Sequence, residues 1–388
     1  MFSKSNNIRR GKRTNPFLPI SLIGFILMSF AVAGQAQQVH QLLYNNSNWA
    51  DQNLFGTTAD PQTGIASFTT PGGDIHNFYR ASNGDVHQLF FNGTSWGDED
   101  LTAGGFGPPA IAGSAFSGFS IQNFQYVYFV SQNQHVHQLL YNNSTWVDTD
   151  LTAAIGGHLI SPTNQLTAVL TGTAGFHVYY QAANGHIQQL YNVNGTWQLQ
   201  DLTVISRGPA GNVTQMSAFA VGNFQYVYYV ANTRHVHELT YNNTTWVDSD
   251  LTALSKSSPV AASAGVTAFA IPGSTKLRVY AITKNFHVLQ FGSPNNTAWS
   301  TKDLTNLTKG PLANPGNGTV AFATTPNNLP HVYYVAGTHT MELFLATATA
   351  PWQNQDLTVL GHGPSATGTG GMAGFSVANF QYVFYLAN

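Results

Sequence analysis

The chain has 388 residues, of which 13% are aromatic and only 8% are charged, with 37 glycines and 17 prolines. Tyr, Phe, Val and Thr recur between clusters of Gly, Asn and Pro, a composition typical of an all-β protein and not of a helical one. Because there are no cysteines, disulfides, thiol chemistry and cysteine metal sites are excluded.

Residues 1–36 have the features of a secretory signal peptide. Five basic residues without an acidic one precede the apolar run FLPISLIGFILMSFAVA, and small residues follow at Gly34 and Ala36. We expect cleavage after Ala36, with Ala33 as the alternative, and secretion of residues 37–388 as a single domain. A periplasmic or cell-surface location and an uncleaved anchor stay open.

Charge narrows the choice of partner. The chain has 14 Lys and Arg against 16 Asp and Glu, and removing the five basic residues of the signal peptide leaves 9 against 16, a net charge of −7. A mildly acidic surface argues against nucleic acid and anionic membranes. We therefore expect a partner that is neutral or recognised locally, and no membrane insertion after cleavage of the signal peptide. The formation of a homo-oligomer stays open.

All seven tryptophans lie in one repeat, with gaps of 47, 50, 51, 49, 53 and 53 residues. They are Trp49, Trp96, Trp146, Trp197, Trp246, Trp299 and Trp352. Self-similarity at this period is typical of a propeller or an array of modules. No tryptophan lies outside the series, so the repeat accounts for the whole mature chain.

The fourth copy shows the four strands of one unit most clearly. MSAFAVG (216–222) ends at a Gly-Asn turn, and FQYVYYVA (224–231) is apolar or aromatic on both faces, as in a strand buried on both sides. HVHELTY (235–241) and TWVDSDLT (245–252) follow across short polar turns. Four strands joined by tight turns predict one four-stranded antiparallel sheet per repeat.

The mature chain begins and ends in the middle of a unit. Residues 38–54 form the second half of a repeat, and residues 372–388 form the first half. Propellers close their ring by pairing the two chain ends within one blade, which leaves only short edges. We therefore predict a seven-bladed β-propeller in which blade 7 combines residues 372–388 with 38–54, and blades 1–6 follow in chain order.

Histidines one residue apart suggest a metal site, because alternate residues of a strand share a face. Only blade 2, with His135 and His137, and blade 4, with His235 and His237, keep both histidines. We find no carboxylate that accompanies the pair, and a zinc site needs three or four convergent ligands. The sequence therefore favours structural or ligand-facing histidines, and we predict no metal and no other cofactor.

An aspartate four residues after the tryptophan recurs in six copies, with Asn53 in the seventh: Asp100, Asp150, Asp201, Asp250, Asp303 and Asp356. We expect it to cap a turn. The Asn-Asn and Asn-Gly pairs before the tryptophan, although they create glycosylation sequons, are expected to form type I′ hairpins. Glycosidases need two carboxylates in one place, and a carboxylate copied into every blade does not supply that pair, so no enzyme is predicted.

One position of the third strand is an amide or a carboxylate in every blade: Gln41, Gln88, Gln138, Gln189, Glu238, Gln290 and Glu342. The strands are covered on both faces, so this side chain must be hydrogen-bonded or face a pocket. Two interpretations stay open: a side chain that ties neighbouring blades together, or a ligand acceptor in a pocket walled by the aromatic ring of the next blade. The second arrangement suits a sugar, whose hydroxyls bind polar atoms while its C–H face packs on a ring.

These features resemble the fucose-binding β-propeller lectins, which include six-bladed fungal lectins and seven-bladed bacterial lectins of the Photorhabdus type. The Gln/Glu strand, the Asn-Gly-Thr-Trp hairpin and the repeat period carry the resemblance over the whole mature chain, and the number of repeats favours the bacterial type. In the fungal type a sugar binds between blades. The resemblance implies that an Arg on the second strand and a Glu twelve residues later clasp it, while the tryptophan of the following blade stacks on it.

Transferred to this chain, the resemblance implies seven sites. They are Arg278–Gln290–Trp352, Tyr226–Glu238–Trp299, His331–Glu342–Trp49, Tyr126–Gln138–Trp197, His76–Gln88–Trp146, His177–Gln189–Trp246 and Tyr382–Gln41–Trp96. One site has the arginine, and Tyr or His replaces it in the other six. Such sites can still hydrogen-bond a sugar, and the bacterial type points to other or O-methylated sugars.

We therefore predict a secreted, multivalent lectin without catalysis that binds fucose or a related sugar on cell-surface glycans or environmental polysaccharide. Seven weak pockets on one ring would act through avidity. A structural or protein-interaction propeller is the alternative. A propeller glycosidase or lyase would need an unrepeated cluster of charged residues at one face of the ring.

Overall fold

The computed structural model describes residues 37–388 except 162, 164, 173–174, 213–214, 315–318 and 368–370. The predicted signal peptide and its cleavage sites lie outside the described residues. Within them, 28 strands form seven four-stranded antiparallel sheets, which confirms the seven-bladed β-propeller. In this part of the chain, no helix is both long and apolar enough to cross a membrane.

The first strands of the chain, β1 (Gln38–Tyr44) and β2 (Trp49–Asn53), belong to blade 7. Blade 1 contains β3 (Ala66–Thr69), β4 (Ile75–Arg80), β5 (Val86–Phe91) and β6 (Trp96–Asp100). Blade 2 contains β7 (Phe116–Ile121), β8 (Phe124–Val130), β9 (Val136–Tyr141) and β10 (Trp146–Asp150). Blade 3 contains β11 (Leu166–Thr171), β12 (Gly175–Gln181), β13 (Ile187–Val193) and β14 (Thr196–Asp201).

The remaining blades follow the same order. Blade 4 contains β15 (Ser217–Val221), β16 (Phe224–Val230), β17 (Val236–Tyr241) and β18 (Trp246–Asp250). Blade 5 contains β19 (Val266–Ala270), β20 (Leu277–Ile282), β21 (Val288–Ser293) and β22 (Ser300–Asp303). Blade 6 contains β23 (Val320–Thr324), β24 (Leu329–Ala336), β25 (His339–Leu345) and β26 (Trp352–Asp356), and blade 7 is completed by β27 (Met372–Val377) and β28 (Phe380–Ala387).

The two chain ends pair in blade 7, as predicted, in the strand order β2-β1-β28-β27. β1 pairs antiparallel with β28, with Leu42 opposite Val383, and both side chains are fully buried. The hydroxyl of Tyr385 donates a hydrogen bond of 2.8 Å to Oδ1 of Asp51 across 334 residues of sequence. The ring is therefore closed by an ordinary strand pair with a core of its own.

The apolar core lies between blades. The first strand of each blade contacts the first strand of the next, from β3 and β7 round to β27 and β3. Among the described residues, buried apolar side chains form seven clusters, each shared by two neighbouring blades. The two faces of a third strand serve different clusters: in β9, Val136 packs toward blade 3 and Leu139 toward blade 1.

Short helices follow the fourth strand of blades 2–6, which the sequence did not predict: α1 (Leu151–Ile155), α2 (Leu202–Ser206), α3 (Leu251–Leu254), α4 (Leu304–Thr308) and α5 (Leu357–Leu360). The predicted capping role of the aspartate is confirmed. Asp150 accepts a hydrogen bond from the backbone N–H of Ala153 at the start of α1, and the four equivalent aspartates cap α2–α5. Asp100 and Asn53 make the same kind of bond in turns, to the N–H groups of Ala103 and Phe55.

The hairpin prediction is right for blade 3 and wrong for blade 2. Asn194 and Gly195 both have positive φ, 51° and 84°, as a type I′ turn requires. In blade 2 only Asn143 has positive φ, 71°, and the side chain of Asn142 accepts hydrogen bonds from the backbone N–H groups of Ser144 and Thr145. This side-chain turn lengthens the connection to four residues.

Because Leu42 is fully buried where the chain ends pair, we expect Leu42→Ala to lower the free energy of unfolding by about 2–5 kcal/mol, the range for such cavities. Denaturant unfolding followed by tryptophan fluorescence measures it. Val247→Ala, on a side chain that is 45% exposed, is the control and should cost less than about 0.5 kcal/mol. Equal losses in both variants would contradict a well-packed joint.

Candidate functional site

The third strand of every blade places the predicted amide or carboxylate inside the protein. All seven side chains are between 1% and 8% exposed. Each lies across the sheet from a second-strand aromatic residue, in the pairs Phe78–Gln88, Tyr128–Gln138, Tyr179–Gln189, Tyr228–Glu238, Tyr280–Gln290, Tyr333–Glu342 and Phe384–Gln41. These buried polar groups need partners, and the partners differ between blades.

Between blades 2 and 3, the three predicted site residues line one cavity of about 470 Å³. Tyr126 and Gln138 come from blade 2, and Trp197 and Phe176 come from blade 3. The rings of Tyr126 and Phe176 are tilted, with centroids 4.8 Å apart. The hydroxyl of Tyr128, opposite Gln138, is buried without a hydrogen-bond partner, so polar and aromatic groups meet here with unused hydrogen-bonding capacity.

Two further predicted trios also line cavities. His331, Glu342 and Trp49 line a cavity of about 1090 Å³ between blades 6 and 7, in which Nδ1 of His331 lies 2.5 Å from Oε1 of Glu342. The third trio lines a cavity of about 370 Å³ between blades 3 and 4: His177, Gln189 and Trp246. There the amide of Gln189 donates to Nδ1 of His177 at 2.8 Å.

The one arginine site has a feature that the sequence comparison did not use. Gly292 lies opposite Arg278 in the sheet, and a Cβ atom at Gly292 would come within 3.3 Å of Arg278 Nη1 and 3.2 Å of Gln290 Nε2. The glycine therefore makes room for the guanidinium beside the amide. Oε1 of Gln290 and the hydroxyl of Tyr280 are buried without partners.

The remaining three trios are arranged less uniformly. In blade 1 the amide of Gln88 lies 2.5 Å from Nδ1 of His76, and Trp146 packs in the core shared with blade 2. In the same way, Tyr226 and Trp299 share one core cluster, while Glu238 accepts a 2.6 Å hydrogen bond from Tyr228.

At the joint between blades 7 and 1, Trp96 and Tyr382 pack against the same core cluster. Trp96 lines a cavity of about 310 Å³. That cavity contains neither Tyr382 nor Gln41, so the structure does not bring this trio together around it. Oε1 of Gln41 is buried without a partner.

The tryptophan rings pack edge-on against the preceding blade. Trp197 meets Tyr128 at 6.4 Å and 78°, and five other tryptophans make the same contact: Trp49–Tyr333, Trp96–Phe384, Trp146–Phe78, Trp246–Tyr179 and Trp352–Tyr280. Four rings are at most 8% exposed, in Trp49, Trp146, Trp246 and Trp299. Trp197 is only half-buried, so more of its ring can meet a ligand.

A second glutamine, which the sequence analysis missed, enters three of the sites from the following blade. Gln125 accepts a 3.2 Å hydrogen bond from Gln88, and Gln225 accepts a 2.9 Å bond from Gln189. Gln381 accepts a hydrogen bond from Tyr333. The signal was present as the repeated Phe-Gln-Tyr of blades 2, 4 and 7. At the other four joints the equivalent residue is apolar: Phe176, Leu277, Pro330 and Ile75.

Burial keeps two of the second-strand histidines uncharged. Burial lowers the pKa of His76 to about 4, against an opposing effect of Asp74, and it lowers the pKa of His177 to about 4. At neutral pH these side chains can exchange hydrogen bonds with a ligand, but they do not replace the positive charge of an arginine. Burial also raises the pKa of Glu238, although hydrogen bonds from neighbouring groups favour its carboxylate form.

The histidines of the third strand pair with aspartates of the fourth strand, so the expectation that no carboxylate accompanies them is wrong. The first histidine lies 2.5–2.7 Å from the capping aspartate in five blades: His135–Asp150, His186–Asp201, His235–Asp250, His287–Asp303 and His339–Asp356. The second histidine lies 2.9–3.0 Å from an aspartate two residues after the tryptophan: His40–Asp51, His87–Asp98, His137–Asp148 and His237–Asp248. Where the second histidine is absent, that aspartate is replaced by Leu199, Thr301 or Asn354.

Solved structures with a similar fold include lectins. The Aleuria aurantia lectin, described as a six-bladed β-propeller with a novel fucose recognition mode, has a TM-score of 0.55 at 18% identity and covers 76% of this chain and 95% of its own. BP39L lectin from Burkholderia pseudomallei has a TM-score of 0.56 at 14% identity, covering 82% and 94%. This chain has the fold of these β-propeller lectins. AofleA from Arthrobotrys oligospora has a TM-score of 0.53 at 14% identity, covering 90% and 94%, whereas no family model and no curated protein matches the sequence.

Stability of the propeller should depend on pH through its buried histidines. His76 stays neutral in the folded state down to about pH 4, whereas a histidine in an unfolded chain titrates near 6.5. Between these values the unfolded chain binds more protons, so stability falls as the pH drops. At about 1.4 kcal/mol per pKa unit, His76 accounts for at most about 3.5 kcal/mol.

His76→Gln keeps a polar side chain and should flatten this dependence. Urea unfolding of both proteins at pH 7 and pH 4.5 measures the difference. The same loss of stability in both would show that His76 is not the group that titrates.

Proposed function

We propose that this protein is a secreted, multivalent lectin without catalytic activity that binds fucose or a related sugar, including O-methylated sugars, between its blades. The cavity between blades 2 and 3 carries the proposal, because there Gln138 and Tyr126 face Trp197 and Phe176. The solved neighbours support it, since one is described with a fucose recognition mode and SapL1 lectin is in complex with alpha methyl fucoside.

The chemistry of this cavity matches that of a pyranose. The Gln138 amide offers both a donor and an acceptor, and the Tyr126 hydroxyl does the same. The rings of Trp197 and Phe176 form an apolar wall for the C–H face of the sugar or for a methyl ether. A volume of about 470 Å³ lies within the range of about 300–1,000 Å³ that is usual for small-molecule sites.

The seven sites should not be equivalent. Gln88 and Gln189 are tied to glutamines of the next blade, which favours the structural interpretation for these two joints. Where the facing residue is apolar, as at Phe176 and Pro330, the amide has no such tie and a sugar can take its place. We therefore expect the sites containing Gln138 and Gln290 to bind more strongly than those containing Gln88 and Gln189.

A glycosidase is the less favoured alternative. The largest of these cavities, between blades 6 and 7, has Glu342 as the only carboxylate among the residues that line it. Glycoside hydrolysis by an acid–base pair requires two carboxyl groups at a defined separation. The geometry therefore favours binding over bond cleavage.

A glycan array with the purified protein tests the proposal, with a narrow class of fucosylated or O-methylated glycans as the expected hits. Isothermal titration with methyl α-L-fucoside and its O-methyl ethers then gives the preferred sugar. A surface that presents many copies should bind about 10²–10⁴-fold more tightly than the free sugar, because several sites engage at once. Absence of binding to any glycan would overturn the proposal.

Two variants compare Gln138, which faces the apolar Phe176, with Gln88, which is hydrogen-bonded to Gln125 of the next blade. Gln138→Ala should weaken sugar binding at its site by about 5- to 150-fold, the equivalent of 1–3 kcal/mol for lost hydrogen bonds in a buried site. Gln88→Ala is the matched control and should lower stability with little effect on binding. If the control abolishes binding and Gln138→Ala does not, the assignment of open and tied sites is wrong.

Export remains part of the proposal and has its own test. N-terminal sequencing of the protein recovered outside the cytoplasm should begin at Gln37, after cleavage behind Ala36, or at Gly34, after cleavage behind Ala33. An intact Met1 in the recovered protein would contradict the cleaved signal peptide.

A further inference from the structure

The His-x-His pair of blade 4 meets a third candidate ligand from the neighbouring strand. In blade 4, His235, His237 and Asp250 each place a ligating atom within 4.8 Å of the others. Nδ1 of His235 lies 2.6 Å from Oδ2 of Asp250, which is a hydrogen-bond distance, and Nε2 of His237 lies 3.8 Å from the same oxygen. Two atoms that bind one tetrahedral zinc ion lie about 3.3 Å apart, so the shorter pair must open slightly to admit an ion.

Blade 2 contains the same residue types and two of the same contacts. Nδ1 of His135 lies 2.7 Å from Oδ2 of Asp150, and Nε2 of His137 lies 3.5 Å from it. His137 is 5% exposed, and its Nε2 is buried without a hydrogen-bond partner. A buried nitrogen with no partner is costly, and here it is aimed at a carboxylate oxygen.

A second aspartate fixes the ring that carries this nitrogen. Nδ1 of His137 lies 2.9 Å from Asp148, and Nδ1 of His237 lies 3.0 Å from Asp248. When the N–H at Nδ1 donates to a carboxylate, Nε2 keeps a lone pair that can bind a metal. A carboxylate in this position is the usual outer partner of a metal-bound histidine. The ring is thereby oriented and made more basic before any ion arrives.

We propose that blade 4 binds a divalent transition-metal ion of the zinc class through the imidazoles of His235 and His237 and the carboxylate of the capping Asp250. Two nitrogens and one oxygen suit Zn²⁺, and water completes the tetrahedron. His235 must turn from the Nδ1–H to the Nε2–H tautomer, so its ring stays neutral and Nδ1 becomes a ligand. Asp250 keeps Oδ1 on the N–H of Ala253 and offers Oδ2 to the ion.

The blade 4 site is open to solvent on one side and separate from the sugar pockets. The side chains of His235 and Asp250 are each 30% exposed, whereas His237 is 7% exposed. Because successive side chains of a strand point to opposite faces, His237 and Glu238 serve different sides of the blade. An ion can therefore enter without passing through the pocket of Glu238.

Other blades provide the comparison. Blade 3 keeps the 2.6 Å pair of His186 and Asp201 but has Gln188 at the second histidine position. Blades 5 and 6 have Leu289 and Met341 there. If the His–Asp pair of blade 4 serves only to hold its short helix in place, blade 4 should behave like blade 3. If blade 4 binds a metal, it should differ from blade 3.

The test uses full-length protein without a polyhistidine tag, stripped by a chelator and titrated with ZnCl₂ in a calorimeter. His237→Gln should lose about one bound Zn²⁺ ion per chain relative to the unsubstituted protein. His186→Gln, the matched control from blade 3, should lose none. Unchanged zinc binding in His237→Gln, or no zinc binding by the unsubstituted protein, would overturn the proposal.

A positioning residue gives a second readout that a purely structural pair would not. Asp248→Asn should weaken Zn²⁺ binding in blade 4 by about 10- to 100-fold. Unfolding without zinc shows whether each variant still folds. Should His237→Gln fail to fold, His235→Gln removes the more exposed imidazole and must produce the same loss of zinc.

Discussion

The pairing of β1 with β28 is the interaction on which the rest of the structure depends. Every apolar cluster is shared by two blades, and so is each of the three cavities that contain a complete predicted trio. None of these surfaces belongs to one blade alone, so each exists only while its two neighbours are held side by side. A closed ring provides this for all seven joints at once, without disulfides, in a chain that has no cysteine.

Within that ring one residue position performs two tasks. The amides of Gln88 and Gln189 donate hydrogen bonds to glutamines of the next blade. These bonds strengthen the joint and occupy the polar groups at this position. Gln138 faces Phe176 in an open cavity, and Gln290 lies beside Arg278 with a buried, unpartnered oxygen. A repeated scaffold permits this division, because a joint that gives up its internal hydrogen bond is supported by six others. Buried polar atoms without a hydrogen-bond partner lower the stability of the folded state. A ligand that bonds to them regains this free energy on binding.

The sequence predicted the architecture well, because period, tryptophan register and the half-repeats at both ends are properties of the chain itself. It also predicted that Gln138 and its equivalents would be buried. It did not predict the His–Asp pairs, since His237 and Asp248 meet only once the register of β17 and β18 is known. Gln125 was missed for a related reason: its partner, Gln88, belongs to another blade. The order of strands within one repeat could be predicted from its pattern, whereas side-chain contacts between strands and between blades required the three-dimensional structure.

The hydrogen bond between Tyr385 and Asp51, which spans 334 residues, bears on the order of events during biosynthesis. β1 and β2 are the first strands of the propeller to be made and pair with each other, but the second edge of β1 has no partner until β28 follows at the end. Contacts of such high sequence separation form late, because a long loop must close before they contribute. That edge of β1 thus spends the whole of synthesis unpaired, and unpaired edges are prone to adhere to other chains. The outer edge of β2 stays unpaired in the finished blade, and Asp51, with Gln52 and Asn53 beside it, gives that strand a polar end that resists such contacts.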